Sequence, residues 1–279
     1  MDINDAARIF TTLGHADRLS VFRLLMRFAP RGQRPTEIAQ ALGLKQNTLS
    51  HHLAALSQAG LVQVSREGRS LYYAVNLHQT EALIGYLALD LARARPDLLP
   101  PARKDCAPMD DRPCNVLFIC AGNSARSIFA QALLRDLGQG RFLAYSAGTR
   151  AGGLVNPMTL TILQRHGHAT TGLHSKHIAQ FQQPGAPQMD FVFTVCDSSA
   201  ADDCPPWQGQ PITGHWGLPD PVRATGPEPE RALVFARIYD ALRRRIEAFV
   251  ALPMARLDRL TLQARIDAID ANALIREKA

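Results

Sequence analysis

Residues 115–127 read NVLFICAGNSARS, and the rest of the domain can be read outward from them. Residues 115–120 form an apolar run of the length expected of a buried strand; a glycine-containing turn follows, and a helical pattern continues through Leu137. Cys120 and Arg126 bracket the turn as Cys-x5-Arg. In a strand-to-helix loop of this kind, successive backbone N–H groups form a concave anion nest, and the helix amino terminus adds positive potential. A tetrahedral oxyanion is the ligand that fits. The candidate oxyanion-binding residues are Ala121, Gly122, Asn123, Ser124, Ala125, Arg126 and Ser127. Gly122 is expected to take the unusual backbone angles, Asn123 to brace the loop through its amide, and Arg126 to offer a planar fork to two oxygens. The same surroundings are expected to lower the pKa of Cys120, with Ser127 donating to its thiolate, so that Cys120 is a nucleophile at neutral pH.

Toward the carboxyl terminus, further apolar strands at 142–145 and 191–195 alternate with helical segments, which predicts an α/β domain with a parallel sheet over 114–252. Ligands of such sheets sit at the carboxyl ends of the strands, where Cys120 lies. The stretch FTVCDSSAADDCPPW (193–207) puts Cys196 at the end of a strand and Cys204 in the loop beyond it. HWGLPDPV (215–222) places Asp220 between two prolines, which would hold its loop. The tail, 253–279, has a partly helical apolar pattern and reads as a packing helix.

Toward the amino terminus, 96–113 is a proline-rich, mixed-charge stretch read as a linker. The preceding 1–95 gives helices at 3–13 and 16–28, a short helix after Thr36, its expected N-cap, and another from about Gln46 to Gln58. Two alternating strands then meet at a turn containing Gly68. This order predicts a mainly α winged helix-turn-helix. Leu49, Leu53 and Leu56 share one face of the second helix of that motif. Lys45, Gln46, Asn47, Ser50 and His51 are thereby left to reach DNA, and Arg69 on the wing suits phosphate.

The length of 279 residues fits two domains. No apolar run approaches the roughly 20 residues of a membrane helix, and the acidic start does not resemble a signal peptide, so the expected location is the cytoplasm. Five cysteines, an odd set, argue for reactive thiols rather than a disulfide framework. The nine histidines show no metal-ligand spacing, and no metal or bound cofactor is expected. The net charge of +6 is shared by the two halves and does not single out a nucleic-acid-binding one.

TTLGHADRLSVFRLL (11–25) and TEIAQALGLKQNTLSHHLAALSQAGLVQVSREGRSLYYAV (36–75) resemble the arsenical-resistance (ArsR-type) repressor family. The resemblance implies a homodimer that releases operator DNA on binding a metal or metalloid. Residues 36–50 lack the cysteines of many arsenite sensors, and the helix around 78–95 lacks the His/Asp pairs of the zinc-sensing branch; Cys106 and Cys114, taken as linker thiols, are then the candidate arsenite-sensing pair. NVLFICAGNSARSIFAQALL (115–134), with YSAGT (145–149) and VNP (155–157), resembles low-molecular-weight tyrosine phosphatases and the arsenate reductases of the same three-layer α/β fold. Phosphoester hydrolysis needs one cysteine and water, whereas arsenate reduction needs two electrons, which a second thiol can supply by forming a disulfide. The reductase resemblance implies that Cys196 attacks Cys120 and that Cys204 then captures Cys196 for reduction by thioredoxin or glutaredoxin with glutathione. The spacing from Cys196 to Cys204 is one residue longer than in the thioredoxin-coupled branch. The resemblance also implies that Asp220 is the general acid that protonates the leaving oxygen, and the tyrosines that follow this Asp-Pro in the phosphatases are replaced by Val222 and Arg223. Two alternatives remain: a protein tyrosine phosphatase, and a repressor whose second domain is an oxyanion sensor.

Overall fold

The computed structural model describes residues 1–95, 112–202, 207, 209–254 and 257–278. Most of the expected linker, together with Cys106 and Cys204, lies outside the described residues. The chain divides into two compact units, Met1–Ala102 and Arg103–Ala279.

The first unit runs α1 (Ile3–Leu13), α2 (Ala16–Phe28), α3 (Pro35–Leu42), α4 (Gln46–Gln58), the antiparallel strands β1 (Val62–Glu67) and β2 (Ser70–Val75), and α5 (Leu77–Gly85), which continues as a π-helical turn. Helix α3 begins at Pro35, whose fixed φ and missing N–H suit a first helical position; the cap is Arg34, not Thr36. The Glu37 carboxylate closes that end by accepting from Arg34 N at 2.9 Å and Arg34 Nε at 3.0 Å. Gly43, at φ +67°, ends α3 in the left-handed region and sets the turn into α4. Leu49, Leu53 and Leu56 of α4 are buried among Ile9, Val21, Leu24, Leu25 and Ile38. The hairpin turns over Gly68 and Arg69, with Gly68 at φ +59°. This is a winged helix-turn-helix.

The second unit holds a four-stranded parallel sheet in the order β4 (Phe142–Gly148), β3 (Cys114–Cys120), β5 (Phe191–Thr194), β6 (Ile212–His215). The strands alternate faces. Val116, Phe118 and Cys120 point into a large core with α6 (Arg126–Leu137) and α9 (Glu228–Val250), while Leu117 and Ile119 meet Ala147, Ile178, Met189 and Val192 on the other face. Each large apolar side chain buried this way contributes about 1.5–3 kcal/mol. The larger core includes Trp216 stacked on Phe193 at 4.1 Å between ring centroids, with Phe249 edge-on to both. The tail forms α10 (Arg259–Lys278), which packs on α9 and β6 through Leu262 and Ile266 and through a buried ion pair, Arg245 Nε to Asp270 Oδ1 at 3.0 Å. Among the described residues no helix is long and apolar enough to cross a membrane.

The chain passes from β4 across β3 to β5, so the connections diverge above the carboxyl end of β3, the position in which open α/β sheets hold ligands. Cys120 ends β3. Cys196 directly follows Val195, whose N–H bonds to Ile119 O at 2.8 Å, so both thiols stand at the carboxyl edge of neighbouring strands.

Candidate active site

The loop from Cys120 to α6 is held by its carbonyls. Cys120 O accepts from Thr149 N at 3.1 Å, Ala121 O from Arg150 N at 2.9 Å, and Gly122 O from Ser175 Oγ at 3.2 Å; Ser124 O accepts from Asn156 N at 2.9 Å and Thr159 Oγ1 at 3.1 Å. In a trans peptide the C=O and the following N–H point in opposite directions. Carbonyls drawn outward therefore turn the N–H groups of Ala121, Gly122, Asn123 and Ala125 toward the other side of the loop. The Asn123 N–H is seen there, donating to Cys120 Sγ at 3.1 Å. The result is an anion nest built by partners far away in sequence.

Asn123, and not Gly122, takes the left-handed backbone, at φ +49°. This corrects the sequence expectation. Asparagine tolerates that region, and its amide is bonded at both ends, donating to Ser127 Oγ at 2.8 Å and accepting from Lys176 N at 2.8 Å. A Cβ on Gly122 would meet only Ser124 Oγ, at an ordinary 3.7 Å. The glycine this loop does require is Gly148: a Cβ there would lie 2.6 Å from Ala121 O and 3.0 Å from Asn123 N.

Cys120 is buried, with Ser127 Oγ 3.0 Å from its sulfur. Burial pushes its thiol above the ordinary cysteine range and Cys196 adds to this, while the Ser127 hydrogen bond and the Arg126 charge pull the other way. The expected lowering of its pKa is thus not found, because desolvation outweighs the Ser127 hydrogen bond and the Arg126 charge. Arg126, itself buried, donates to Leu218 O at 2.9 Å and pairs with Asp220 Oδ1 at 3.1 Å. Its Nε is buried without a hydrogen-bond partner, an open donor beside the nest.

Asp220 reaches Arg126 from the start of a one-turn 3-10 helix, Pro221–Arg223, and remains partly exposed. Cys196 is buried and caps α8 (Asp197–Ala201), with its sulfur 3.2 Å from Ser199 Oγ, which also bonds to Ile119 O at the end of β3. His215 braces this segment, its ring bonded to Thr194 Oγ1 at 2.7 Å and Asp197 Oδ1 at 3.1 Å. Asp202, two residues before Cys204, is tied to Thr149 and lies 3.8 Å from Arg150 Nε.

Residues 115–261 match the family of low molecular weight phosphotyrosine protein phosphatases. The chain belongs to that family. The first unit separately matches a helix-turn-helix domain over 13–65. The phosphatase-family unit is similar to an arsenate reductase of Shouchella clausii, 35% identical over 136 residues, covering 48% of this chain and 93% of that protein. Its similarity to the arsenate reductase of Bacillus subtilis is 34% over 134 residues, 48% of this chain and 93% of that one. A solved arsenate reductase in the phosphate-binding state is 28% identical, with 50% and 97% of the two chains covered and a TM-score of 0.41.

Of the residues read as catalytic, Cys120 contacts Ser127, Arg126 pairs with Asp220 and Cys196 follows the strand beside β3, whereas Cys204 lies outside the described residues. Cys114 does not behave as a linker thiol: it is the first residue of β3 and 3% exposed, at the far end of the strand from Cys120. Sequence reading missed the loop holders Gly148, Asn156, Thr159, Ser175 and Lys176. The YSAGT and VNP motifs contain the first two and were the available signal. In the first unit, Lys45, Gln46, Asn47, Ser50 and His51 are exposed along α4, and Arg69 is exposed in the wing.

Proposed function

We propose that the phosphatase-family unit reduces arsenate to arsenite and that the helix-turn-helix unit binds operator DNA as an arsenic-responsive repressor. The observation that carries the first part is the pair of buried thiols, Cys120 and Cys196, at the carboxyl ends of adjacent strands. Phosphoryl transfer would use only the first of them.

Arsenate enters the nest with its oxygens toward the N–H groups and the Arg126 guanidinium, whose Nε has no other partner. An anion there competes with Asp220 for Arg126 and frees that carboxyl to carry a proton. Cys120 gives its proton to the bound arsenate dianion and attacks arsenic as the thiolate, and one arsenate oxygen leaves as water with a further proton from Asp220. The Cys196 thiolate then attacks Cys120 Sγ. The sulfur–arsenic electron pair stays with arsenic, which departs as arsenite, and a Cys120–Cys196 disulfide remains. Cys204 attacks Cys196 and releases Cys120, and an external dithiol such as thioredoxin, or glutaredoxin with glutathione, reduces the Cys196–Cys204 disulfide. Two thiols supply the two electrons, and no bound cofactor enters. Arsenate relatives covering nearly their full length support this reading.

The repressor reading is supported by the exposed polar face of α4 and the exposed wing arginine. Exposed apolar residues Ile3, Phe10, Ile84, Leu87 and Leu89 on the flanking helices fit dimerisation through this unit. For arsenite sensing, Cys114 is buried at the start of β3 and Cys106 lies outside the described residues.

The test is arsenite production from arsenate by the purified chain, supplied in turn with thioredoxin and its reductase or with glutathione and glutaredoxin, for wild type, Cys196→Ser and Cys204→Ser. Turnover with one donor system, lost in both variants, is expected. Aryl-phosphate hydrolysis undiminished by Cys196→Ser, without arsenite production, would overturn the reductase reading. Duplexes selected from a random pool by the full chain would test DNA binding, and failure to enrich any sequence would overturn that half.

A further inference from the structure

Outside the active site, the described residues bring together one group of potential metal ligands: His15, Asp17 and His52, with one ligand atom from each lying within 4.8 Å of the others. His15 caps α2, its Nδ1 accepting from Asp17 N at 3.2 Å, which holds the ring over the first turn of that helix. Asp17 stands in that first turn. His52 comes from the inner face of α4 and is 7% exposed. Its Nε2 is buried with no hydrogen-bond partner and faces Asp17 Oδ2 at 3.5 Å; the His15 ring lies 4.9 Å away between centroids.

We propose that His15, Asp17 and His52 form a binding site for a divalent transition-metal ion of the zinc type. Two imidazoles and a carboxylate are a borderline donor set suited to zinc, and three protein ligands leave a fourth position open. Zinc–nitrogen distances of about 2.0–2.1 Å place tetrahedral ligand atoms roughly 3.3–3.4 Å apart, close to the His52–Asp17 separation. Exposed His15 needs only a small side-chain rotation to close the remaining gap. The ion would bind the buried His52 Nε2, which faces Asp17 Oδ2 at 3.5 Å without a hydrogen bond.

The position of the site gives it a consequence. It joins the start of α2 to the buried side of α4, whose outer side carries Gln46, Asn47, Ser50 and His51. An ion here fixes the setting of α4 against α2 and so alters how those residues meet DNA. This consequence rests on the DNA-binding reading; the metal site does not. No spacing signal marks this group, because His52 lies more than thirty residues from His15 and Asp17.

The test is a zinc titration of the reduced, chelator-stripped full chain against a chromophoric chelator, for wild type, His15→Asn and Asp17→Asn. Asparagine at position 15 keeps a helix cap while removing the imidazole. Thiolates are themselves zinc ligands, so the readout is the difference between proteins. Wild type is expected to hold one more equivalent than either variant, or to hold it at least tenfold more tightly, with a nitrogen and oxygen shell in X-ray absorption. Equal stoichiometry and affinity in all three proteins, meaning zinc on thiols only, would overturn the site. With a duplex selected by the full chain, zinc is expected to shift DNA affinity in wild type and not in His15→Asn. A shift of equal size in both would overturn the link to α4.

Discussion

The loop after β3 and the outer face of α4 are both binding surfaces, yet they are made in opposite ways. The loop owes its chemistry to backbone direction. Its carbonyls are pulled outward by Thr149, Arg150, Asn156, Thr159 and Ser175, and the N–H groups turn inward as a result. The α4 face owes its chemistry to side chains spaced along one helix, with Leu49, Leu53 and Leu56 buried beneath to seat it. A surface of the first kind is sensitive to changes far from the ligand. One of the second kind is sensitive to the residues on it and to how its helix is seated.

The largest expected effect falls on the first surface. Asp220→Asn removes the proton donor and should lower arsenate turnover by about 10²–10⁴-fold. Arsenate binding should be retained, since Arg126 loses its resting counter-charge; equilibrium binding and steady-state rates measure the two separately. An unchanged rate would remove Asp220 from the mechanism.

Gly148→Ala tests action at a distance. The added methyl would overlap Ala121 O, and overpacking of this sort costs roughly 1–3 kcal/mol of stability, measurable by urea unfolding. A displacement of the nest by about 1 Å should also cost turnover on the order of 10²-fold. Wild-type kinetics in this variant would break the contrast between the two surfaces.

Gln46→Ala and Asn47→Ala test the second surface. Each should weaken specific DNA binding by about 1–3 kcal/mol if it reads a base. Stability should change by less than about 0.5 kcal/mol, and arsenite production should not change. Fluorescence anisotropy with a selected duplex reads the first quantity. A large stability loss would mean that these residues are tied into the fold as the loop residues are.

A smaller effect concerns pH. Burial raises the Cys120 pKa, so the thiolate forms only as pH rises past the ordinary cysteine range, and alkylation of Cys120 should still be accelerating there. Above the pKa of the unfolded chain, the folded state keeps a proton that the unfolded state gives up, so this group lowers stability at alkaline pH and contributes nothing below it. Because Cys196 adds to the upward shift, Cys196→Ala should bring the alkylation midpoint down. A midpoint at or below the ordinary range in wild type would contradict the resting geometry.

The same contrast explains what could be read from the sequence. The winged helix was legible because helical spacing, Gly43 and Gly68 act locally. Cys120, Arg126, Ser127 and Asp220 were legible because their motifs are compact. The left-handed residue was assigned to Gly122 and belongs to Asn123, since the choice depends on Lys176 and Ser127 holding the asparagine amide. The Cys120 pKa was read from its donors alone, and burial cannot be seen in a motif. Cys114 looked like a linker residue because nothing local shows that β3 begins there. His52 faces His15 and Asp17 only once α2 packs against α4, a juxtaposition that no local spacing announces.

The central claim is that two neighbouring thiols, not one, carry the chemistry, and a single-turnover experiment tests it most directly. The fully reduced chain is mixed with excess arsenate in the absence of any external reductant, and arsenite and remaining thiols are counted. Wild type is expected to release about one arsenite per chain with the loss of two thiols, and Cys196→Ser to release none while still binding arsenate. Arsenite released by Cys196→Ser at the wild-type yield would contradict the account.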